Sequence, residues 1–472
     1  MLPLATSIDG RSFSFQASLY DLEFRVGGYV MLTDGADEWL GQVMTLELGY
    51  VEDDGGDSLR GPRRVTAALG TGTVLVAARP FHDAVVERAM AAQVAAWLDA
   101  GGAPHGSLDI GELADVPGVP ARLDAGGFNR HTFLCGQSGS GKTYSLGVVL
   151  ERLLTETELR VVVLDPNSDY VRLADVRPGA ESDTATRYRL AARQIEVRRA
   201  ASTGGEPLRV RVSELGPDCR AALLQIDPVA DREEYAALTE LLEHDVAGRP
   251  LISGIDALLT SDLPGARELG LRAANLGALQ WEIWERGAGG SLPQLLVGGA
   301  WRCLVVDLGS LETPEEQSVI AESVLDTLWR HRRDHRPVLI VIDEAHNVCP
   351  QRPESRVVAL ATRRAVQIAA EGRKFGLHLL VATQRPQKVH DNVVSQCDNL
   401  MLMRMNSAAD LAHLSESFSF VPPSLLDAAR HFELGEALVA GKISHDPTLV
   451  RFGARISEEG GGDIGPGATG HR

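Results

Sequence analysis

The stretch Gly136-Gln-Ser-Gly-Ser-Gly-Lys-Thr143, "GQSGSGKT", lies between "HTFLC" (131–135), which reads as a strand, and "YSLGVVLERLL" (144–154), which reads as a helix. It matches G-x-x-x-x-G-K-[ST] in full. In that strand-to-helix setting the pattern is a phosphate loop, whose backbone N–H groups close around phosphate oxygens while the helix N-terminus adds partial positive charge. Leu146, Val149, Leu150, Leu153 and Leu154 fall at helical spacing, so Lys142 and Thr143 begin an amphipathic helix. The candidate nucleotide-binding residues are Gly136, Ser138, Gly139, Ser140, Gly141, Lys142, Thr143 and Tyr144. Lys142 is the point charge for the β and γ positions of ATP, and Thr143 is a ligand for Mg²⁺.

A phosphate loop needs a second element, a buried strand ending in acids, because the magnesium site takes a carboxylate and hydrolysis takes a group that polarises water. "PVLIVIDEAH" (337–346) has that form. Asp343 is the candidate for the magnesium-bound water and Glu344 for the general base. In "LLVATQRP" (379–386) a polar residue at the end of a neighbouring strand can report on the γ-phosphate; Gln384 is the first candidate, Thr383 the weaker one, and Arg385 follows. The tetrapeptide "DEAH" alone does not make a helicase of that name, since no QRxGRxGR motif occurs. No LSGGQ-like signature of a transporter cassette and no NKxD loop of a G protein occurs either.

The 472 residues suffice for two or three domains with real cores. No apolar run approaches bilayer length, and Met1–Ser14 lacks the apolar centre of a signal peptide, so a cytoplasmic protein without a membrane segment is expected. The five cysteines form no CxxC pair and read as small buried hydrophobes. His331 and His335 have i, i+4 spacing without the HExxH glutamate and read as a solvated helix end rather than zinc ligands. The net charge of −18 excludes a protein that coats itself on nucleic acid through a generally basic surface. Contact with DNA would need a localised basic region such as the inside of a ring.

From 11 to about 80, short strand-like runs with turn signals, among them an acidic turn "EDDGGDS", predict a small β-barrel or sandwich. Phe81–Ala100 reads as a helix that breaks at Gly101-Gly102, and "GELADVPGVPARLDAGG" (111–127) as a linker. After the loop helix, "RVVVLDPNSDY" (160–170) reads as a strand buried on both faces. Residues 196–300 show helical patches, "EEYAALTELLE" and "ALQWEIWER", and read as an insertion. Strand runs then resume at "RCLVVDL", "RPVLIVIDE", "GLHLLVATQRP" and "NLMLMRM" with helical segments between most of them, the signature of a mostly parallel sheet covered by helices. The glycine-rich tail "SEEGGGDIGPGATGHR" reads as disordered.

"NRHTFLCGQSGSGKT", "VVLDPNSDY", "VLIVIDEAHNVCP", "EGRKFGLHLLVATQRPQKV" and "VSQCDNLMLMRM", in this order, resemble the HerA branch of the HerA/FtsK translocase superfamily. The strand-rich N-terminus resembles that family's small barrel and "GEALVAG" (435–441) its closing strand. The resemblance implies an α/β fold: a barrel with its linking helix over 1–112, a RecA-like ATPase core over 113–195 and 301–455, a helical insertion over 196–300, and the tail 456–472. It also implies a homo-hexameric ring threading double-stranded DNA and working with a NurA-like nuclease or an antiphage defence effector. Arg130 matches a family position that serves the neighbouring subunit's γ-phosphate; Arg385, Arg404 and the pair Arg373 and Lys374 are further candidates. For the DNA path, "PQRPESRVVALATRRAVQIAAEGRK" (350–374) offers a helix with Val357, Ala361, Ala365 and Ile368 on one face and Arg363, Arg364 and Gln367 away from it, with Arg352 and Arg356 in the preceding loop aimed at phosphates. Asn167 and Ser168 depart from the family's usual pair at that place. Two other readings stay open, an ATP-gated ring scaffold for an attached effector and a secretion or conjugation ATPase of the same superfamily.

Overall fold

The computed structural model describes residues 3–461 except 21, 54–62, 77, 102–105, 181, 246–257 and 287–288. Most of the acidic turn, the Gly102 break and the tail beyond 461 lie outside the described residues. The chain divides into two compact units, one formed by residues up to 127 with 136–145 and 399–454, the other by 128–135, 146–398 and 455 onward.

In the first unit, β1 (Leu4–Ser7), β2 (Ser12–Ala17), β3 (Tyr29–Asp34), β4 (Asp37–Asp53), β5 (Arg63–Val74) and β6 (Phe81–Arg88) close into an antiparallel barrel in the order β1-β2-β5-β4-β3-β6. Its interior is filled by Phe13, Phe15, Leu32, Val43, Phe81 and Val86. Phe13 stands opposite Gly72 and Phe15 opposite Gly70. A Cβ at either glycine would sit 2.2 Å from the facing ring, so these strand glycines are the space the aromatics occupy. The reading of Phe81–Ala100 as one helix is corrected here. Phe81–Arg88 is the strand that closes the barrel against β1 and β3, and helix α1 spans Ala91–Gly101. Closure gives both edges of β6 a partner, and that outweighs the helical propensity of Ala, Glu and Arg.

The predicted linker is also structured: β7 (Ser107–Leu113) and β8 (Pro120–Asp124) form an antiparallel hairpin. Leu108 and Ile110 alternate into the core with Leu123, all buried, and this apolar face makes the segment a hairpin rather than a linker.

The second unit is built on six parallel strands: β9 (His131–Cys135), β10 (Arg160–Asp165), β11 (Ile195–Arg198), β12 (Cys303–Asp307), β13 (Val338–Ile342) and β14 (Leu377–Thr383), ordered β11-β12-β10-β13-β14-β9. Every residue of β9, β12, β13 and β14 is buried, as continuous apolar runs require. Helix α2 (Lys142–Glu156) follows the phosphate loop. The helix Pro314–Arg330 starts on a Thr313/Glu316 capping box, and the helix Arg356–Glu371 starts on Ser355 and buries Val357, Ala361, Ala365 and Ile368 as its periodicity predicts. In the first unit, β15 (Cys397–Met403), β16 (Glu436–Gly441) and β17 (Thr448–Phe452) run antiparallel, and β17 pairs with β7.

Within the central region, Arg232–Asp245 is helical, but "ALQWEIWER" forms only one turn, Ala278–Gln280. Glu285 N donates to Val210 O at 2.8 Å, and the buried Trp284 ring donates to Ala278 O at 2.7 Å, so an extended pairing replaces the helix. The start of the tail is ordered rather than disordered. Glu151 in α2 accepts from Ser457 Oγ at 2.6 Å, Ser457 N at 2.7 Å and Ile456 N at 2.9 Å, and Arg455 Nε lies 3.7 Å away. Both charged side chains are fully buried, and removing one of such a pair costs about 3–5 kcal/mol.

Between the two long helices, Asp326 pairs with Arg330 and Arg364, and Glu322 accepts the Cys219 thiol. Burial, with the charge of Asp326 added, pushes Glu322 up to about 7 from 4.5. The folded chain therefore holds this proton through a range where the unfolded chain has lost it, so stability from this group is present below about pH 4.5 and falls as pH rises to about 7. Glu322→Gln, which keeps an acceptor for Cys219, is expected to flatten the decline of urea stability between those two pH values; an unchanged slope would contradict the assignment.

Candidate functional site

The phosphate loop is held within the first unit by backbone and side-chain bonds to the segment after β15. Gln137 N donates to Arg404 O at 2.9 Å, Arg404 Nη2 donates to Gly139 O at 3.1 Å, and Asn406 N donates to Gln137 Oε1 at 3.1 Å. Gly435 N donates to Ser140 O at 3.2 Å. Gln137 N and Ser140 N are spent on Arg404 O and Gln137 O, and the carbonyls of Gly139 and Ser140 are tied outward, which fixes the shape of the loop. Gly139 and Gly141 take φ of +71° and +93°, which an L side chain resists. Arg404, a candidate for serving the neighbouring subunit, is engaged here with its own loop.

Lys142 is buried, while Ser138 and Gly139 are exposed at the loop tip and Thr143 and Tyr144 are half-buried. The hydroxyls of Ser140 and Ser145 are buried with no hydrogen-bond partner, and a Cβ added at Gly139 would meet open space. Unmet donors beside an open, glycine-lined turn fit a phosphate chain.

The acids lie in the second unit at the C-terminal ends of the parallel strands, where ligands bind in open α/β sheets. Val341 is level with Leu380 and Ile342 with Val381, so Asp343 and Glu344 leave β13 beside the C-terminal end of β14. Thr383 is level with Cys135, the residue that precedes the phosphate loop. Asp343 is fully buried, and its Oδ1 accepts from Glu344 N at 2.9 Å. Glu344 takes φ of +43°, and its Oε1 accepts from Gln384 Nε2 at 2.8 Å. The polar strand-end residue and the acid expected from sequence thus meet directly. Thr383 is fully buried and accepts from Arg385 N at 3.0 Å, while the Arg385 side chain is exposed.

Arg130 stands at the opposite, N-terminal end of β9. It is half-exposed and 3.9 Å from Asp398, which Arg373 holds more closely at 2.6 Å. His131 and His378 at that end are both pushed down to about 4, mainly by burial, so they stay neutral beside these arginines.

Sequence reasoning missed three groups in this unit. Asp165 ends β10 and accepts from Tyr170 N at 2.8 Å and Asp169 N at 3.0 Å; burial raises it to about 7 against those bonds. Asp307 is level with it on β12, 3.2 Å from Arg199 Nη2, and accepts from Ser168 Oγ at 2.6 Å. The departure at Asn167-Ser168 therefore has a local role, since Ser168 at φ +60° ties the loop after β10 to β12. The third group, His346, lies beside Glu344. A strand run ending in Asp marks the first two, and nothing in the sequence separates His346 from an ordinary turn residue.

The basic residues after the acids divide. Arg356 is the first residue of its helix rather than a loop residue, and it contacts Asp227 at 3.8 Å and Ile226 O at 3.2 Å. Arg363 pairs with Asp218 and Arg364 with Asp326, while Arg352 is exposed. All five cysteines are buried thiols outside any disulfide. His331 lies 3.5 Å from Asp334, and the His335 ring lies 5.9 Å from that of Phe375 at a tilt of 32°, as a helix end allows. Among the described residues no helix is long and apolar enough to cross a membrane.

The parallel sheet, the glycine-rich loop between β9 and α2, and the acids after β13 define an α/β fold of the P-loop ATPase class with an N-terminal six-stranded barrel. The family described as "Helicase HerA, central domain" matches residues 108–248. The DNA double-strand break repair helicase HerA of Pyrococcus furiosus is 22% identical over 426 residues, covering 76% of this chain and 73% of that protein. The protein of the same name from Sulfurisphaera tokodaii is 22% identical over 380 residues, covering 74% and 69%. Among solved structures, VirB4 of Thermoanaerobacter pseudethanolicus aligns at 16% identity with a TM-score of 0.47, over 74% of this chain and 96% of its own. The chain is thus distantly similar to the HerA helicases over about three quarters of its length.

A Cβ at Gly136 would fall 2.6 Å from Ser140 Oγ and 2.7 Å from Met403 Cβ. Gly136→Ala is therefore expected to displace the loop, costing about 1–3 kcal/mol of stability and most nucleotide affinity. Thermal unfolding and titration with a fluorescent ATP analogue check this, and unaltered affinity would contradict the loop geometry.

Proposed function

We propose that the chain is an ATP-dependent double-stranded DNA translocase or helicase motor of the HerA type, hydrolysing ATP at the subunit interfaces of a homo-hexamer. The observation that carries this reading is the register of β13, β14 and β9, which sets Glu344, Gln384 and the residue preceding the phosphate loop at one end of one sheet. The names of the relatives, repair helicases, support DNA as the substrate.

In this reading the backbone N–H groups of the loop Gly136–Thr143 other than those of Gln137 and Ser140, together with the Lys142 ammonium, bind the phosphates of ATP. Thr143 and Asp343, a hydroxyl and a buried carboxylate, are the oxygen donors suited to Mg²⁺, the latter through water. When bound, the ion supplies neutralisation of charge on the β and γ oxygens. Glu344 takes a proton from the attacking water, and Gln384 orients the reacting groups. Arg130 stands at the far end of β9 from the loop of its own chain, so it serves a neighbour's γ-phosphate, with Arg385 as a second, exposed cation. The charge of −18 confines DNA to a locally basic lumen, to which Arg352 and Arg356 contribute. A NurA-like nuclease or a defence effector is the partner class for such a motor.

ATP hydrolysis by the purified chain, with and without linear duplex DNA at two salt concentrations, tests this. Stimulation that fades with salt is expected, as is its loss in Lys142→Ala. Glu344→Gln should bind ATP yet hydrolyse it about a hundredfold more slowly or worse. Turnover indifferent to DNA would contradict the motor and favour the ATP-gated scaffold for an effector.

A further inference from the structure

We propose that His346 is a positioning residue for hydrolysis, gripping the carboxylate of Glu344 from the side opposite Gln384; this rests on the hydrolysis reading above. A general base works only if its carboxylate presents a lone pair to the water in a fixed direction. Glu344 is well placed to be held so. Its backbone is set at φ +43° by Asn347 N donating to its carbonyl at 2.8 Å and by the neighbouring Ala345 N donating to Ala382 O at 2.9 Å. Gln384 Nε2 then holds Oε1 at 2.8 Å, while His346 Nδ1 lies 3.3 Å from Oε2.

The ring is itself anchored. Nδ1 is 3.1 Å from Thr383 Oγ1, and that hydroxyl accepts from Arg385 N at 3.0 Å, so the end of β14 fixes the imidazole and the imidazole fixes the acid. With its proton on Nδ1, the ring shares that single N–H between Thr383 Oγ1 and the carboxylate in a three-centre contact. With the proton on the other nitrogen, Nδ1 takes the Thr383 hydroxyl proton and turns a lone pair at the carboxylate, which repels it. Only the first arrangement clamps Glu344 between two donors, and it is the one assigned here.

Asparagine places an amide nitrogen where Nδ1 stands and carries two N–H groups, so it can reach both Glu344 and Thr383. The test is steady-state ATP hydrolysis by the full chain, with nucleotide Kd measured separately on a fluorescent ATP analogue. His346→Ala is expected to lower kcat about tenfold or more, the scale of a lost hydrogen bond to a charged group, with Kd unchanged within about twofold. His346→Asn should recover kcat to within about threefold of the wild type. Thr383→Val should lower kcat in the same sense, and His346→Ala with Thr383→Val should be no worse than His346→Ala alone, because both act through one ring. The inference is overturned if His346→Ala turns over like the wild type, if its loss lies in Kd, if asparagine does no better than alanine, or if the two losses add. A wild-type chain that binds ATP and never hydrolyses it, with or without DNA, would instead overturn the hydrolysis reading itself.

Discussion

The register between β13, β14 and β9 is the constraint on which the functional arrangement depends. All three strands are fully buried, so each backbone N–H and C=O must find its partner in the neighbouring strand, and a one-residue slip would turn apolar runs out of register with the helices that cover them. Fixed in this way, the ladder ends at one level: Val381 beside Ile342, Thr383 beside Cys135. The acid pair, the glutamine and Cys135, which precedes the phosphate loop, are therefore positioned by core packing.

Several polar groups at that edge find their partners locally, as burial favours. Asp165 accepts backbone N–H groups of the loop it precedes, and Asp307 is met by Ser168 and Arg199. Glu344 is held by Gln384 and flanked by His346. Away from the edge, Glu151 draws the start of the C-terminal segment onto α2, and the same segment meets the loop after β10, where Gly460 N donates to Asp169 O at 3.0 Å. The helix that begins at the phosphate loop and the loop after β10 are thus joined through Arg455–Gly460 within one unit.

Much of this was legible in the sequence because the signals were local. The phosphate loop is a pattern of glycines with one lysine, and "VLIVIDE" announces a buried strand ending in acids. Gln384 could be chosen because a strand run ends just before it, and its bond to Glu344 depends on the strand order that was inferred. What escaped was set by distant partners. Phe81–Arg88 has helical composition, yet β1 and β3 make it a strand. "ALQWEIWER" is drawn out by Val210, and the ordered start of the tail by Glu151. Arg364 reads as a basic residue on the polar face of a helix and Arg356 as a loop residue aimed at phosphates, and only the fold brings Asp326 and Asp227 to them. His346 was silent for the same reason, since its meaning lies in Thr383, on another strand.

The central claim, that the edge formed by this register is where ATP is cleaved, is tested most directly by a cryo-electron microscopy structure of the Glu344→Gln chain with ATP and Mg²⁺. The expected result is a triphosphate wrapped by Gly136–Thr143 whose terminal phosphate lies beside residue 344 and Gln384. A nucleotide bound elsewhere, or in the loop with residue 344 and Gln384 turned away from its terminal phosphate, would contradict it.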